Sequence, residues 1–267
     1  MMCSRTDEMK TETSSTSTPS KSTSPVPSIR VERVATGVAA AVFAIYGLVL
    51  APGSLTDLGE IGRILSGRLD EVNDLFFAIF NLLGAVSFNF AVLLNPGASR
   101  QKLLSTGLFS FLGVFFGFGA LGPYLAAREY VPSVSSEEVA AQGITSRVLE
   151  SRAFSVGLLV YVLWIYAFAL GVFTPGTENL HDAIFYAAGV NLFRLFSTDR
   201  FASVSVVDLV CLSLATWGPL TEDMRRRGWF AEGRLSESYL TALSIASTPG
   251  LGVALYLIMR PRLPKVD

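Results

Sequence analysis

The sequence predicts an all-α membrane protein, a polytopic transmembrane helical bundle of about six spans behind a disordered N-terminal tail. The first observation is composition: 51% of the 267 residues are hydrophobic and only 16% are charged, whereas ordinary soluble domains carry about 25% charged residues. The second is the placement of the charges, which leaves six long apolar runs. The third is a leading segment rich in Ser and Thr.

Each apolar run is long enough to cross a membrane as a helix. A hydrocarbon core about 30 Å thick requires roughly 20 apolar residues in helical form, and uncharged runs of about 18 or more are candidates. Asp208 is the one charged residue inside the six runs, and Pro52 with Gly53 shortens the first. The runs are 34–56, 75–99, 103–127, 153–177, 201–221 and 238–259.

The leading segment differs in kind from the rest of the chain. Fourteen of its first 30 residues are Ser or Thr, and such a stretch buries too little apolar surface to offset its conformational entropy. We therefore expect a disordered tail over 1–33 and a transmembrane helical domain over 34–264. The tail has the Ser/Thr content of a plastid or mitochondrial transit peptide, but Asp7, Glu8 and Glu12 are unusual in one, so a plain cytosolic tail is the alternative.

Composition also excludes several kinds of function. The formal net charge of −1 argues against a nucleic-acid partner. Cys3, Cys211 and the single His181 offer neither a disulfide framework nor metal-ligand spacing. The sequence therefore predicts no metal, no cofactor and no recognisable catalytic residue.

The distribution of Lys and Arg gives a first estimate of orientation. With six spans, the side of the two termini carries 12 of these residues and the other side carries 9. The positive-inside rule then places both termini on the cytoplasmic or stromal side. The cluster Arg225–Arg227 opposes this orientation.

Asp208 is the main candidate for a functional intramembrane residue, since a carboxylate at membrane depth is costly unless it is paired or hydrated. Ser205 and Cys211 lie on the same predicted helix face. Asp208 could be a proton or cation site or a substrate anchor. The alternatives are a structural hydrogen bond, to Asn81 or to a backbone carbonyl at a kink, and a location nearer the interface.

Other residues within the runs suggest packing. Asn81 could hydrogen-bond between helices or contact a ligand, and Gly113 with Gly117 forms a small-xxx-small pair that lets helices approach closely. Pro249–Gly250 predicts a kink that frees backbone carbonyls. Between the runs, we expect an amphipathic helix over 54–72, a helix capped by Ser136, and an interfacial or re-entrant stretch at 183–193.

Several segments resemble an uncharacterised multi-pass membrane protein family of plants, algae and cyanobacteria. They are 73–84 (NDLFFAIFNLLG), 119–126 (GALGPYLA), 197–208, 222–229 (EDMRRRGW) and 256–261 (YLIMRP). The resemblance implies a plastid membrane, thylakoid or envelope, and carries no established activity. A weaker likeness, confined to Asp208 and the C-terminal ending, is to plastid membrane proteins required for neoxanthin formation.

Three classes of function remain. The first is a non-catalytic membrane protein that binds membrane lipids, pigment or another membrane protein. The second is a small proton-coupled transporter that uses Asp208. The third is a membrane enzyme of isomerase type acting on a carotenoid or lipid, for which His181, Glu222 and Asp223 are the available acid–base groups. The lack of a catalytic constellation favours the first.

Overall fold

The computed structural model describes residues 27–54, 59–68, 71–102, 105–170, 192–229 and 235–265, and the regular elements within these ranges are all helical. Residues 1–26 of the predicted tail, His181 and nearly all of 183–193 lie outside them. The helices are α1 (Pro27–Ile45), α2 (Gly59–Leu65), α3 (Asp74–Leu94), α4 (Thr106–Phe116), α5 (Phe118–Ala127), α6 (Ser136–Ala141), α7 (Ile144–Leu149), α8 (Arg152–Ala169), α9 (Leu192–Thr198), α10 (Arg200–Ala215), α11 (Trp217–Arg226), α12 (Leu235–Ala246) and α13 (Leu251–Met259).

Four of these helical stretches are long and apolar enough to cross a membrane. They are Val31–Leu50, Asp74–Arg100, Arg152–Ala169 and Arg200–Arg226. The first continues α1 through a π-helical turn, the second continues α3 through a 3₁₀ turn, and the fourth joins α10 to α11. α3 is central, because it packs against α4, α8, α10 and α11 and its Phe76 and Phe90 are fully buried.

The long helices share two ends. At one end, Arg226 of α11 donates to the Leu93 carbonyl near the end of α3 (3.5 Å), and Arg227 pairs with Glu150 just before α8 (2.9 Å). We call this the arginine-rich end. At the opposite end, Arg200 at the start of α10 donates to the Ala51 carbonyl beyond α1 (2.7 Å).

The third apolar run forms a hairpin instead of a span. The Thr106 hydroxyl at the start of α4 lies 2.7 Å from the Tyr124 hydroxyl near the end of α5, and the Leu121 side chain lies directly against Gly113. The two helices therefore run antiparallel. Both outer ends lie at the arginine-rich end, where Gln101 and Glu129 exchange hydrogen bonds of 2.9 Å. We call α4–α5 the first hairpin.

Gly117 makes this reversal. Its φ of 52° and ψ of −130° lie in a region that is open to glycine and strained for other residues. The tip lies well inside the bundle, because the Phe118 ring packs edge-on against Phe43 of α1 at 5.8 Å. Phe43 is 12 residues, or about 18 Å, along the helix from Val31.

The sixth apolar run reverses in the same manner, and we call α12–α13 the second hairpin. Trp229 and Tyr256 lie together at the arginine-rich end, with ring centroids 5.2 Å apart. The six steps from Trp229 to Leu235 cover at most about 22 Å, less than the roughly 40 Å of a 27-residue helix. α12 therefore starts toward the arginine-rich end, and it ends at a tip where the Asn89 side chain donates to the Gly250 carbonyl (3.2 Å).

Within the described ranges, four of the six predicted spans correspond to helices long and apolar enough to cross a membrane. The third and sixth runs form two hairpins whose ends lie at the arginine-rich end. The hydropathy of the third and sixth runs is that of spans, but Gly117 and Gly250 (φ 72°) divide each into two helices of 9 to 12 residues. At about 1.5 Å per residue, none of the four halves crosses 30 Å alone.

Smaller differences concern boundaries. Residues 27–33, which the sequence assigns to the tail, are the start of α1. The predicted helix within 54–72 is present as the shorter α2. The N-cap of α6 is Ser135, whose hydroxyl accepts from the Glu138 N–H at 3.1 Å, one residue before the predicted Ser136.

Candidate functional site

Asp208 binds the tip of the first hairpin. Its Oδ1 accepts a hydrogen bond from the Phe118 backbone N–H at 2.6 Å, and its side chain is 93% buried because α10 places it against Gly117. Phe118 is the first residue of α5, so the carboxylate caps the positive end of that helix dipole. One structural alternative for Asp208 was a hydrogen bond to a backbone carbonyl at a kink. The observed partner is also a backbone group at a break between helices, but it is an N–H.

The other end of α5 has the complementary partner. Arg33 of α1 donates to the carbonyls of Ala126 (2.8 Å) and Ala127 (3.1 Å), where a helix C-terminus favours a cation. A ten-residue helix inside the bundle is therefore held by a carboxylate at its first residue and a guanidinium at its last. Asp208 thus has a structural role in the hairpin.

The remaining predicted site residues are not gathered around Asp208. Asn81 of α3 accepts from the Tyr161 hydroxyl of α8 (2.9 Å) and donates to the Phe77 carbonyl (2.7 Å), so it links two long helices. Ser205 is buried one turn before Asp208 on α10. Ser205 lies near Asp208 because both are on α10. Asn81 lies elsewhere, between α3 and α8.

The predicted glycine pair is corrected by the structure. Gly113 and Gly117 do not form a packing stripe on one continuous helix, because Gly117 ends α4. Gly113 faces the returning helix at Leu121, and a Cβ there would overlap that side chain. Its carbonyl accepts from Ser87 of α3 at 2.8 Å. Close approach is thus the role of Gly113, but within its own hairpin.

At the tip of the second hairpin, backbone carbonyls accept hydrogen bonds from neighbouring helices. The Pro249 carbonyl accepts from the Tyr166 hydroxyl of α8 (3.0 Å), and the neighbouring Gly250 carbonyl accepts from Asn89. These are the backbone acceptors that the Pro–Gly break frees. Ser87 and Asn89 of α3 therefore bind one tip each.

A buried ionic network fixes the arginine-rich end. Glu222 of α11 pairs with Arg128 (2.5 Å) and with Arg226, and both Glu222 and Arg226 bond the backbone of Val131. Burial alone would lower the pKa of the Arg128 guanidinium, but the Glu222 carboxylate reverses this and raises it. Glu222 is therefore a paired structural carboxylate in this structure.

Asp223 forms the second half of the network. It is fully buried, and its Oδ2 accepts from Arg227 (2.9 Å), Tyr256 (2.9 Å) and Arg260 (3.2 Å). Neither half of this network was predicted from the sequence, although the pairs 222/226 and 223/227 have the i, i+4 spacing of helical ion pairs.

A large apolar cavity lies beside α4, and we call it the α4 groove. Its volume is about 700 Å³. It is bounded by α3, α4, α7 and the start of α8, and it extends from Thr106 to Phe115, about 14 Å of helix. None of its lining residues is charged. They are Phe88, Ala91, Asn95, Ala98, Ser99, Thr106, Gly107, Ser110, Phe111, Val114, Phe115, Gln142, Thr145, Ser146, Leu149 and Phe154.

The α4 groove has a polar end and an apolar end. Toward the arginine-rich end lie Asn95, Gln142 and Ser146, with the Ser146 hydroxyl donating to Asn95 Oδ1 at 2.9 Å. Toward the middle of the bundle the lining is aromatic, and Phe111 and Phe115 are 62% and 68% exposed. The groove therefore combines a hydrogen-bonding head with an apolar side open to the surroundings.

Two buried polar atoms in the α4 groove lack a partner within the described part of the chain. They are Asn95 Nδ2 and Ser110 Oγ, on side chains that are 93% and 92% buried. Buried donors without a partner are uncommon in native structures, and each requires an explanation such as a bound ligand or water. Both residues line the groove, and both atoms are hydrogen-bond donors.

Comparison with known proteins adds no assignment. No protein-family model, curated protein or solved structure matches this chain. Among the residues described, no group of three or more His, Cys, Asp or Glu side chains is placed to hold a metal ion. The functional argument therefore rests on the α4 groove and the arrangement around it.

Proposed function

We propose that the chain is an integral membrane protein that binds an uncharged amphipathic lipid in the α4 groove. Large apolar side chains face outward, such as Val42 of α1 (60% exposed) and Val160 of α8 (61%), while Asn89 and Asp208 are buried. This distribution suits a hydrocarbon surrounding. The Ser/Thr-rich tail and the family resemblance favour a plastid membrane.

In the proposed topology, four helices cross the membrane and the two hairpins are re-entrant. All six predicted apolar runs lie within the membrane, but the third and sixth enter and leave at the arginine-rich end. Of the described Lys and Arg residues, only Arg63, Arg68, Arg194 and Arg200 lie at the opposite end. The arginine-rich end carries thirteen, namely Arg30, Arg33, Arg100, Lys102, Arg128, Arg147, Arg152, Arg225, Arg226, Arg227, Arg260, Arg262 and Lys265.

The count of thirteen Lys and Arg residues at one end against four at the other favours one orientation. It does so more strongly than the count of 12 against 9 obtained with six spans. The positive-inside rule places the arginine-rich end, with the start of α1 and the end of α13, on the cytoplasmic or stromal side. The difference arises because the first hairpin returns residues 128–152 to the side of the termini, so that the next two crossings also bring Arg225, Arg226 and Arg227 to that side.

Cysteine labelling distinguishes the two topologies. In a background with Cys3 and Cys211 changed to serine, Ile144→Cys and Leu65→Cys place thiols on residues that are 79% and 73% exposed. Four crossings predict that a membrane-impermeant reagent labels these two positions from opposite sides. Six crossings predict labelling from the same side, and that result would contradict the re-entrant hairpin.

The chemistry of the α4 groove defines the class of ligand. An apolar trough of about 14 Å accommodates roughly ten carbons of an acyl or isoprenoid chain, and the exposed Phe111 and Phe115 allow longer chains to continue outside it. Asn95 Nδ2 and Ser110 Oγ can donate to a hydroxyl or ester carbonyl. An uncharged lining disfavours a charged head, because burying an unpaired charge is costly. A lipid alcohol or a diacylglycerol fits these requirements.

The geometry supports this binding function more than transport or catalysis. Asp208 is occupied by the first hairpin tip, and it is not part of the groove lining. Glu222 and Asp223 are engaged by arginines, so they are not free acid–base groups. The single observation that carries the proposal is the pair of unpartnered buried donors, Asn95 Nδ2 and Ser110 Oγ, on residues that line an apolar groove.

Two substitutions and one control variant test the proposal with a photoactivatable diacylglycerol as the probe. Val114→Trp fills the groove and should abolish cross-linking, whereas Val160→Trp on the outer face of α8 should not. Ser110→Ala removes a group that has no partner, so it should leave thermal stability unchanged while weakening binding about fivefold, the value of one neutral hydrogen bond of about 1 kcal/mol. Equal cross-linking of the two tryptophan variants would overturn the proposal.

A further inference from the structure

A second cavity, at the arginine-rich end, differs in chemistry from the α4 groove. Its volume is about 480 Å³, and it lies between α6–α7, the start of α8 and the end of α13. Five arginines line it, whereas Glu150 is the one carboxylate among its lining residues. These arginines are Arg147, Arg152, Arg227, Arg260 and Arg262. We call it the arginine cavity.

Two of the arginines are already neutralised. Arg227 and Arg260 pair with Glu150 at 2.9 and 3.3 Å, and both also pair with Asp223. Burial alone would lower the pKa of the Arg227 guanidinium, but Asp223 and Glu150 reverse this and raise it. These side chains form a fixed, charged wall.

The other three arginines carry positive charge that no nearby carboxylate of the described chain balances. Arg147, Arg152 and Arg262 are exposed, and within the described chain none has a carboxylate within 4.0 Å. Arg147 donates only to the Ala140 carbonyl, at 3.3 Å. The cavity therefore has a surplus of positive charge that its own carboxylate does not balance.

The start of α8 adds backbone donors. The Ser151 hydroxyl accepts from the Phe154 N–H at 3.2 Å, but the first N–H groups of an 18-residue helix have no acceptor within the helix. Together with the helix dipole, such N–H groups bind phosphate and other anions. Ser151 and Arg152, at the start of this helix, line the cavity with the other arginines, so two independent features favour the same class of ligand.

The surroundings indicate where that anion comes from. Leu257 and Ile258 of α13 form part of the cavity wall, and the adjacent Leu255 and Met259 are 45% and 69% exposed. An acyl chain can therefore continue from the cavity along the outer face of α13. Basic pockets between helices on the cytoplasmic or matrix side bind anionic lipid head groups.

We propose that the arginine cavity binds the phosphate head group of an anionic membrane lipid. The site depends on the membrane embedding proposed above but not on ligand binding in the α4 groove. Arg152 and Arg262 contact the phosphate in this proposal, because a guanidinium group can form bidentate hydrogen bonds with it. The topology labelling tests the embedding separately, so failure of one proposal is distinguishable from failure of the other.

The test measures lipid affinity of the purified full-length protein by native mass spectrometry. Phosphatidic acid should bind, and phosphatidylcholine, whose head is neutral overall, should bind much more weakly. The double variant Arg152→Gln with Arg262→Gln should lower the affinity for phosphatidic acid about tenfold or more, the effect of losing charged hydrogen bonds. Arg194→Gln, at the opposite end, is the matched control and should bind as the unchanged protein does.

Stability without lipid should be the same for the double variant and the unchanged protein, because neither arginine has an ion partner in the described chain. Equal affinity for the two lipids, or an unaltered affinity in the double variant, would overturn the proposal. Inorganic phosphate provides the second arm. If it displaced phosphatidic acid at concentrations comparable to those of the lipid, the site would belong to a soluble phosphate compound, and the lipid assignment would be wrong.

Discussion

Gly117→Ala is expected to destabilise the protein by about 3–5 kcal/mol. A non-glycine residue in this backbone conformation is strained by about 1–3 kcal/mol. In addition, an added Cβ would overlap the Asp208 carboxylate, so the hydrogen bond from Phe118 would be displaced, at about 1–3 kcal/mol for a buried polar group left unpaired. Thermal or denaturant unfolding in detergent micelles measures the change.

Gly119→Ala is the matched control for this prediction. Gly119 lies two residues further along the chain, inside α5, and a Cβ there meets only Phe43 at 3.8 Å, an ordinary van der Waals contact. The control should change stability by less than about 1 kcal/mol, consistent with the helix propensity difference between Gly and Ala. Equal effects at 117 and 119 would mean that the hairpin tip is not formed as described.

A double-mutant cycle with Asp208→Ala separates strain from overlap. Removing the carboxylate relieves the overlap at position 117 but leaves the backbone strain. The combined loss should therefore be smaller than the sum of the two single losses. Additive losses would indicate that Asp208 does not contact the hairpin tip.

Asp223→Ala should be destabilising to a similar degree, by about 3–5 kcal/mol. Asp223 is fully buried, and its removal leaves Arg227 and Arg260 with Glu150 as the remaining carboxylate of the cluster. Breaking a buried ion pair from one side is strongly unfavourable, because the other charge stays buried without compensation. The free energy of unfolding measured at neutral pH checks this.

The Arg100–Glu138 pair supplies the control at the same end of the bundle. Its side chains are 47% and 27% exposed, so Glu138→Ala should change stability by only about 0–1 kcal/mol. The Arg100 guanidinium holds the pKa of Glu138 below its ordinary value, so this small contribution is present at neutral pH and is lost as the pH falls through that lowered pKa. A large effect at Glu138 with a small one at Asp223 would contradict the described network.

Composition and run length were sufficient to predict an all-helical chain with membrane-length helices, but not the division of two apolar runs into hairpins. A hairpin of 11 and 10 residues has the same hydropathy as a single span of that total length. The difference depends on the backbone angles of Gly117, and glycine is common in continuous membrane helices as well. Pro249–Gly250 was the stronger signal, because the sequence predicted a break there. The same residue types, however, occur where a helix only kinks and where the chain reverses its direction.

The candidate functional residues were also only partly predictable from the sequence. Asp208 was identifiable because one charge interrupts an apolar run, but its partner depends on where the first hairpin ends. The α4 groove was not predictable, because Asn95 and Ser110 come from different helices and their lack of partners is a property of the packing. From the sequence, Glu222 and Asp223 were only available acid–base groups, and only the assembled bundle shows that they pair with arginines from distant segments, Arg128 and Arg260.

The location of both hairpins has a consequence for biosynthesis. A re-entrant hairpin returns to the side from which it entered, so the insertion machinery never has to translocate the arginines that flank it. In the proposed topology, the segments carried across are those between α1 and α3 and between α8 and α10. Each arginine moved through the bilayer centre would oppose insertion by about 2.5–3.5 kcal/mol, and Arg128, Arg226, Arg227 and Arg260 are spared this step. The chain can therefore assemble its charged end on the side of synthesis while the α4 groove closes within the bilayer.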